Sequence, residues 1–247
     1  MEQFGLNRVL WIPAAKPPHK LGKKLAPDHS RLAMTLLATV GRPGWQVLPL
    51  EFNRSGPSYT YDTLLEVPEW IQRNLKTKSE GGIAPRKRKL ELYLIIGSDN
   101  LPGLPGWKNA EDVIAIAQPI VAWREGDPDV LLADLEGKLS PKALERISRG
   151  FMRLPPLPHS STAIRESLAQ GIVPDGALND EVLEYIQEHG LYGWPSPDAP
   201  VKSGDSAIVD PAAALLESLA REGSGFDGGA DPGALGGESS DTVGDSF

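Results

Sequence analysis

The segment LELYLIIG, residues 90–97, is a near-continuous apolar run that stops at a glycine. A strand of that kind is hydrophobic on both faces. Strands covered on both faces belong to parallel sheets with helices packed against them. The neighbouring segments fit such a sheet. Residues 7–12, 45–52 and 119–124 read as strands, and FMRLPP, from 151, reads as a short one. Between them lie stretches with helical spacing. These are 30–40 with Ser30 as N-cap, 58–75 with Pro68 near its middle, and 109–118. The segment 140–150 runs from Ser then Pro to a terminal Gly, and 160–171 and 179–190 look like capped helices. Strand and helix alternate, which predicts an α/β chain with a doubly wound, mostly parallel sheet. Ligands of such sheets bind beyond the carboxyl ends of the strands. The polar segments to inspect are therefore 13–20, 53–60, 97–107 and 155–165.

Length and composition narrow the class. The 247 residues suffice for one α/β domain with a real core and additional segments. With no cysteine, disulfides and thiolate zinc sites are excluded. No apolar run is long enough for a membrane helix, so a soluble, cytoplasmic protein is expected. The net charge of −8 misleads. Residues 195–247 carry ten acidic residues against Lys202 and Arg221, a balance of −8, so residues 1–194 sum to zero. That tail is rich in Gly, Ser, Asp and Pro and is expected to be disordered. One island, DPAAALLESLARE (210–222), has helical spacing. The expected division is a folded domain over 1–194 and an acidic tail over 195–247.

Each candidate site has a functional and a plain structural reading. In PLPHSSTAIR, Ser160 and Ser161 stand where a helix begins, and Arg165 follows about one turn in. The free helix amides, the positive dipole end and a guanidinium suit a phosphate. A capping box with Glu166 explains the same residues. Lys16, His19 and Lys20 make a basic, proline-locked loop suited to a polyphosphate, or a solvated surface loop. Gly97 and Asp99 follow the apolar strand, where a carboxylate can meet a ribose or base, or cap the next segment. Trp107 closes that loop and either packs down or stacks on a flat ligand. In GPSYTYDTLLE, Tyr59, Thr60 and Asp62 open a helix. Thr60 can bind a carboxylate or amide, or serve as a cap. The RKRK run at 86–89 has no interleaved aromatics, so nucleic-acid binding is not expected.

Taken in order, IPAAKPPHK, RLAM, GPSYTYDTL, IIGSDNLPGLPGW, SSTAIRESLAQG and EVLEYIQEHGLYG resemble the successive blocks of bacterial nicotinate-nucleotide adenylyltransferases, a family of the nucleotidyltransferase superfamily. The resemblance covers residues 2 to about 193. SSTAIR is shared across the superfamily, whereas PPHK, SYTYDTL and the GSDN…W loop narrow it to the nicotinate enzymes. The resemblance implies a Rossmann-like sheet. It implies transfer of the adenylyl group of ATP to nicotinate mononucleotide, giving deamido-NAD and pyrophosphate, with Mg²⁺ on the phosphates. Lys16, His19, Lys20, Ser160, Ser161, Thr162, Ile164 and Arg165 would then serve the ATP phosphates, with Gly97 and Asp99 by the nucleotide. Tyr59, Thr60 and Trp107 would hold the nicotinate. The expected partners are those two nucleotides, with no nucleic acid and no membrane.

The family pattern places a strand and a glycine-rich H-x-G-H loop ahead of FGLNRVLWIP, and none of His19, His29, His159 and His189 sits in such a motif. The natural start is therefore expected upstream of Met1, and no catalytic residue is assigned. The alternative expectation is a catalytically impaired paralogue that binds nucleotide or a protein partner.

Overall fold

The computed structural model describes residues 2–18, 25–77, 90–124, 126–155 and 158–195. His19, Lys20, the RKRK run and the 210–222 island lie outside the described residues.

The chain is α/β, and every strand pairing is parallel. Strand β1 (Val9–Trp11) pairs with β2 (Trp45–Val47) after helix α1 (Asp28–Thr39). Helix α2 (Thr60–Thr77) then leads to β3 (Leu92–Gly97). Helix α3 (Ala110–Ile116), β4 (Ala117–Trp123), α4 (Pro128–Ala133), α5 (Pro141–Ser148) and β5 (Phe151–Arg153) follow. Helices α6 (Ser161–Leu168) and α7 (Asp180–Glu188) close the described chain. The ladders form two sheets, β1–β2 and β3–β4–β5. Phe4 reaches Tyr93 on β3, with ring centroids 6.4 Å apart.

Among the described residues, the apolar strand is well covered on one face and partly on the other, where Tyr93 meets Phe4. Ile96 is buried in a cluster with Leu101, Leu104, Ile114, Val121 and Ile147, while Ile95, on the opposite face, is 51% exposed. Side chains alternate across a strand, so adjacent residues meet different surroundings. Here residues of α3, α5 and the 3-10 stretch Ser98–Gly106 cover the Ile96 side.

Local signals predict most helix ends. Ser140 Oγ accepts from the Ala143 amide, Ser160 Oγ from Ala163 and Asn179 Oδ1 from Val182. Ser30 departs from expectation. It lies inside α1, buried, and its hydroxyl accepts from Tyr185 Oη at 3.4 Å. Pro27 occupies the cap position without a side-chain bond. The strand expected over 45–52 ends at Val47, because Pro49 has no N–H for a ladder and Leu50–Asn53 coil into a 3-10 turn. Helix α4 was not anticipated, although Asp127 caps the Asp129 amide and Pro128 stands at its first turn. Helix α2 continues through Pro68, with Leu64 and Val67 buried beside it.

Candidate active site

The loop after β1 is fixed by an arginine that the sequence reading left inside the RLAM block. Arg31 donates through Nη1 to the Ala14 carbonyl and through Nη2 to Ala15 at 2.8 Å. Its Nε donates to the Ala26 carbonyl at 3.2 Å, and its guanidinium pairs with Asp28. A planar fork with five N–H donors suits this several-sided grip. Lys16 is exposed, as a phosphate ligand must be, and its backbone is tied down. The Lys16 amide donates to Ser58 Oγ at 3.2 Å, and the Ser58 amide donates to the Lys16 carbonyl at 2.9 Å. Ser58 is buried, so this exchange joins the basic loop firmly to the loop that precedes α2. Beside it opens a hollow of about 550 Å³, lined by Trp11, Pro13, Arg31, Trp45 and Tyr192.

The loop before α2 also meets the loop after β3. Helix α2 begins at Thr60, and the Tyr59 carbonyl accepts from the Thr63 amide. The Thr60 hydroxyl makes no hydrogen bond among the described residues, so helix capping does not use it. Lys108 places its ammonium 2.8 Å from both oxygens of Asp62 and 5.0 Å from the centre of the Tyr59 ring. Trp107, the residue before it, is half-buried against two apolar clusters that include residues of β3 and β4. Thr60, Tyr59 and Trp107 are thereby drawn toward one region by an ion pair that spacing could not reveal.

Gly97 and Asp99 form a compact turn. A β-carbon on Gly97 would overlap Asp99 Oδ1, and Asn100 Nδ2 donates to that same oxygen at 3.2 Å. The carboxylate thus folds back over the end of β3, where only a glycine leaves it room.

At the start of α6 the N-cap is Ser160, which makes Ala163 the residue at capping-box spacing; Glu166 is three positions too late. The Ser160 hydroxyl is occupied by the Ala163 amide, whereas the first amides of the helix, at Ser161 and Thr162, have no intrahelical acceptor. Arg165 donates to Thr162 Oγ1 at 3.2 Å and is otherwise exposed. His159 faces away, with Nε2 3.0 Å from the Asp175 carbonyl oxygen. Tyr192 sits within electrostatic reach of both Arg165 and Arg31. Burial raises its phenol above the ordinary value, and the two guanidinium charges oppose that shift. Hydrogen bonds therefore run from Arg31 to the basic loop, from Lys16 to Ser58 ahead of α2, and from Lys108 to Asp62 within α2, with Tyr192 under the charge of both Arg165 and Arg31.

Among the described residues, no group of three or more His, Cys, Asp or Glu side chains could hold a metal ion, and no helix is long and apolar enough to cross a membrane. A parallel α/β fold whose loops combine a pinned basic segment with an open serine-capped helix end has the features of a Rossmann-like, nucleotide-binding class of protein. No family model matches the sequence. Individual relatives do. A protein of Dehalococcoides mccartyi carrying the name probable nicotinate-nucleotide adenylyltransferase is 35% identical over 191 residues, covering 77% of this chain and 85% of its own length. One of Roseiflexus with the same name is 36% identical over 187 residues, covering 76% and 83%. Among solved structures, a Plasmodium falciparum nicotinic acid mononucleotide adenylyltransferase complexed with NaAD aligns with a TM-score of 0.49 at 16% identity, over 77% of this chain and 84% of that one. The chain belongs to the nicotinate-nucleotide adenylyltransferase family.

Proposed function

We propose that the protein transfers the adenylyl group of ATP to nicotinate mononucleotide, in the cytoplasm, as a step of NAD biosynthesis. The observation that carries the reading is the match to relatives of that name over 77% of this chain and 85% of theirs. The junctions at Lys16–Ser58 and Asp62–Lys108 support it, since they gather the loops that such a reaction needs on one rim.

In the reaction, an oxygen of the acceptor's 5′-phosphate attacks the α-phosphorus of ATP. The bond to the α,β-bridging oxygen breaks, and pyrophosphate leaves. Transfers of this kind rest on positioning and charge neutralisation rather than on a covalent enzyme intermediate. The open amides of Ser161 and Thr162, the Arg165 guanidinium and the Lys16 ammonium supply positive charge for the phosphates. Ser160 holds the end of α6 in shape, and its carbonyl accepts from the Ile164 amide. His19 and Lys20 belong to the same basic loop and are proposed to extend it. Gly97 and Asp99 border the nucleotide. The Thr60 hydroxyl and the flanking α2 amides suit the nicotinate carboxylate, with Tyr59 and Trp107 as flat surfaces for the ring. A divalent cation, proposed to be Mg²⁺, would enter with ATP and supply charge neutralisation, needing few protein ligands because magnesium keeps most of its waters.

The test is a product assay with purified protein, ATP and Mg²⁺, run in parallel with nicotinate mononucleotide, nicotinamide mononucleotide and phosphopantetheine. Deamido-NAD and pyrophosphate from the first acceptor alone support the reading. Product from another acceptor would reassign the substrate. ATP binding without product from any of them would identify a nucleotide-binding protein instead.

A further inference from the structure

A buried polar network beneath the α2 entrance has no part in the chemistry described so far. Glu51 is 7% exposed and Thr63 is 6% exposed. The Thr63 hydroxyl donates to Glu51 Oε1 at 2.7 Å and accepts from Arg54 Nη2 at 2.9 Å. The Tyr59 carbonyl stands farther off at 3.3 Å, so the single hydroxyl proton goes to the nearer, charged acceptor. Arg54 Nε lies 2.8 Å from Glu66 Oε1, an ion pair in which the N–H is not aimed at the oxygen. Glu51 Oε2 and Arg54 Nη1 are buried with no hydrogen-bond partner among the described residues. One guanidinium thus pairs with Glu66 directly and reaches Glu51 only through the Thr63 hydroxyl, and part of the set is unsatisfied. Buried groups left in that condition destabilise a fold, so the arrangement calls for another reason.

Its placement gives one. Glu51 and Arg54 come just before the loop that carries Ser58, Tyr59 and Thr60, and Thr63 and Glu66 come just after it. The network ties the loop's first residue to the second turn of α2. The Lys16–Ser58 exchange ties its far end to the basic loop. Gly56 turns the chain between them with φ +96°. Both ends are held, while the Thr60 hydroxyl has no partner among the described residues.

We infer that Thr63 is a positioning residue for the acceptor: its hydroxyl, by joining Glu51 to Arg54, sets where Thr60 and the first α2 amides stand against the nicotinate carboxylate. The inference rests on the function proposed above. Thr63→Val keeps the shape and removes the hydroxyl, and Thr63→Ser keeps the hydroxyl. Equilibrium binding of nicotinate mononucleotide and of ATP to the full chain, with amide hydrogen exchange, separates the outcomes. Loss of an oriented polar contact is expected to weaken acceptor binding about tenfold in Thr63→Val. ATP binding stays unchanged, exchange quickens at residues 59–63, and Thr63→Ser restores both. Equal weakening of both ligands, or a lower melting temperature with acceptor affinity intact, would mean that the network is merely structural and would overturn the inference. Failure of the unaltered protein to bind nicotinate mononucleotide would overturn the proposed function first, and this inference with it.

Discussion

The Lys108 ammonium sits 2.8 Å from both carboxylate oxygens of Asp62, a residue 46 positions earlier. It also lies over the rings of Tyr59 and Tyr61, at 5.0 and 5.9 Å. One cation thereby ties the entrance of α2 to the end of the loop that carries Trp107. The pair is 42% and 32% exposed, so its weight in stability is small.

Lys108→Met therefore separates site geometry from folding. The unfolding free energy is expected to change by no more than about 1 kcal/mol. The KM for nicotinate mononucleotide is expected to rise several-fold while the KM for ATP holds. Steady-state kinetics beside a urea titration reads both, and an unchanged acceptor KM would show that the clasp does not shape the site.

Ser160 and Arg165 share one helix end and have different tasks. Ser160→Ala removes the cap on the Ala163 amide and is expected to cost about 1 kcal/mol of stability. Arg165→Gln leaves that cap in place, and is expected to raise the KM for ATP with stability unaltered. Denaturation and kinetics on the two variants should show opposite patterns.

Gly97→Ala drives a methyl group into Asp99 Oδ1. The carboxylate is the end of a side chain and can swing away, so the fold survives. The carboxylate then leaves the end of β3, and nucleotide affinity is expected to fall in calorimetric titration with little change in melting temperature. Full affinity for ATP would remove Asp99 from the site.

Gly150→Ala meets a harder obstacle, the backbone carbonyl of Pro119 in β4. Backbone cannot rotate aside, and such overpacking is expected to destabilise the protein by about 1–3 kcal/mol. Chemical denaturation measures the loss. A neutral result would show that β4 and β5 approach less closely than described.

Tyr192 gives an alkaline signature. Burial holds its phenol above the ordinary value of 10.0, so the folded protein keeps a proton that the unfolded chain releases. The stability linked to this group is whole below pH 10 and declines as pH rises through the folded value. Tyr192→Phe should flatten that part of the decline relative to the unaltered protein, as followed by thermal melts across alkaline pH.

Most of the α/β alternation was legible because its signals are local. Ser140, Ser160 and Asn179 act within one turn of their own helices, and the apolar runs mark strands within a few residues. The same locality misled at Ser30, where burial against Tyr185 overrode a plausible cap, and at Ile95, whose exposure depends on what covers the sheet. The candidate loops were chosen by a rule that needs only strand ends, since ligands of parallel sheets gather beyond them. Which side chains join those loops was not. Arg31 gripping Ala14 and Ala15, Lys16 exchanging hydrogen bonds with Ser58, Lys108 clasping Asp62 and Thr63 bridging Glu51 to Arg54 all depend on chain segments meeting in space. Hydrophobic period and helix punctuation specify the elements, because backbone geometry repeats within four residues. The partners of a guanidinium or a hydroxyl are chosen only when those elements pack.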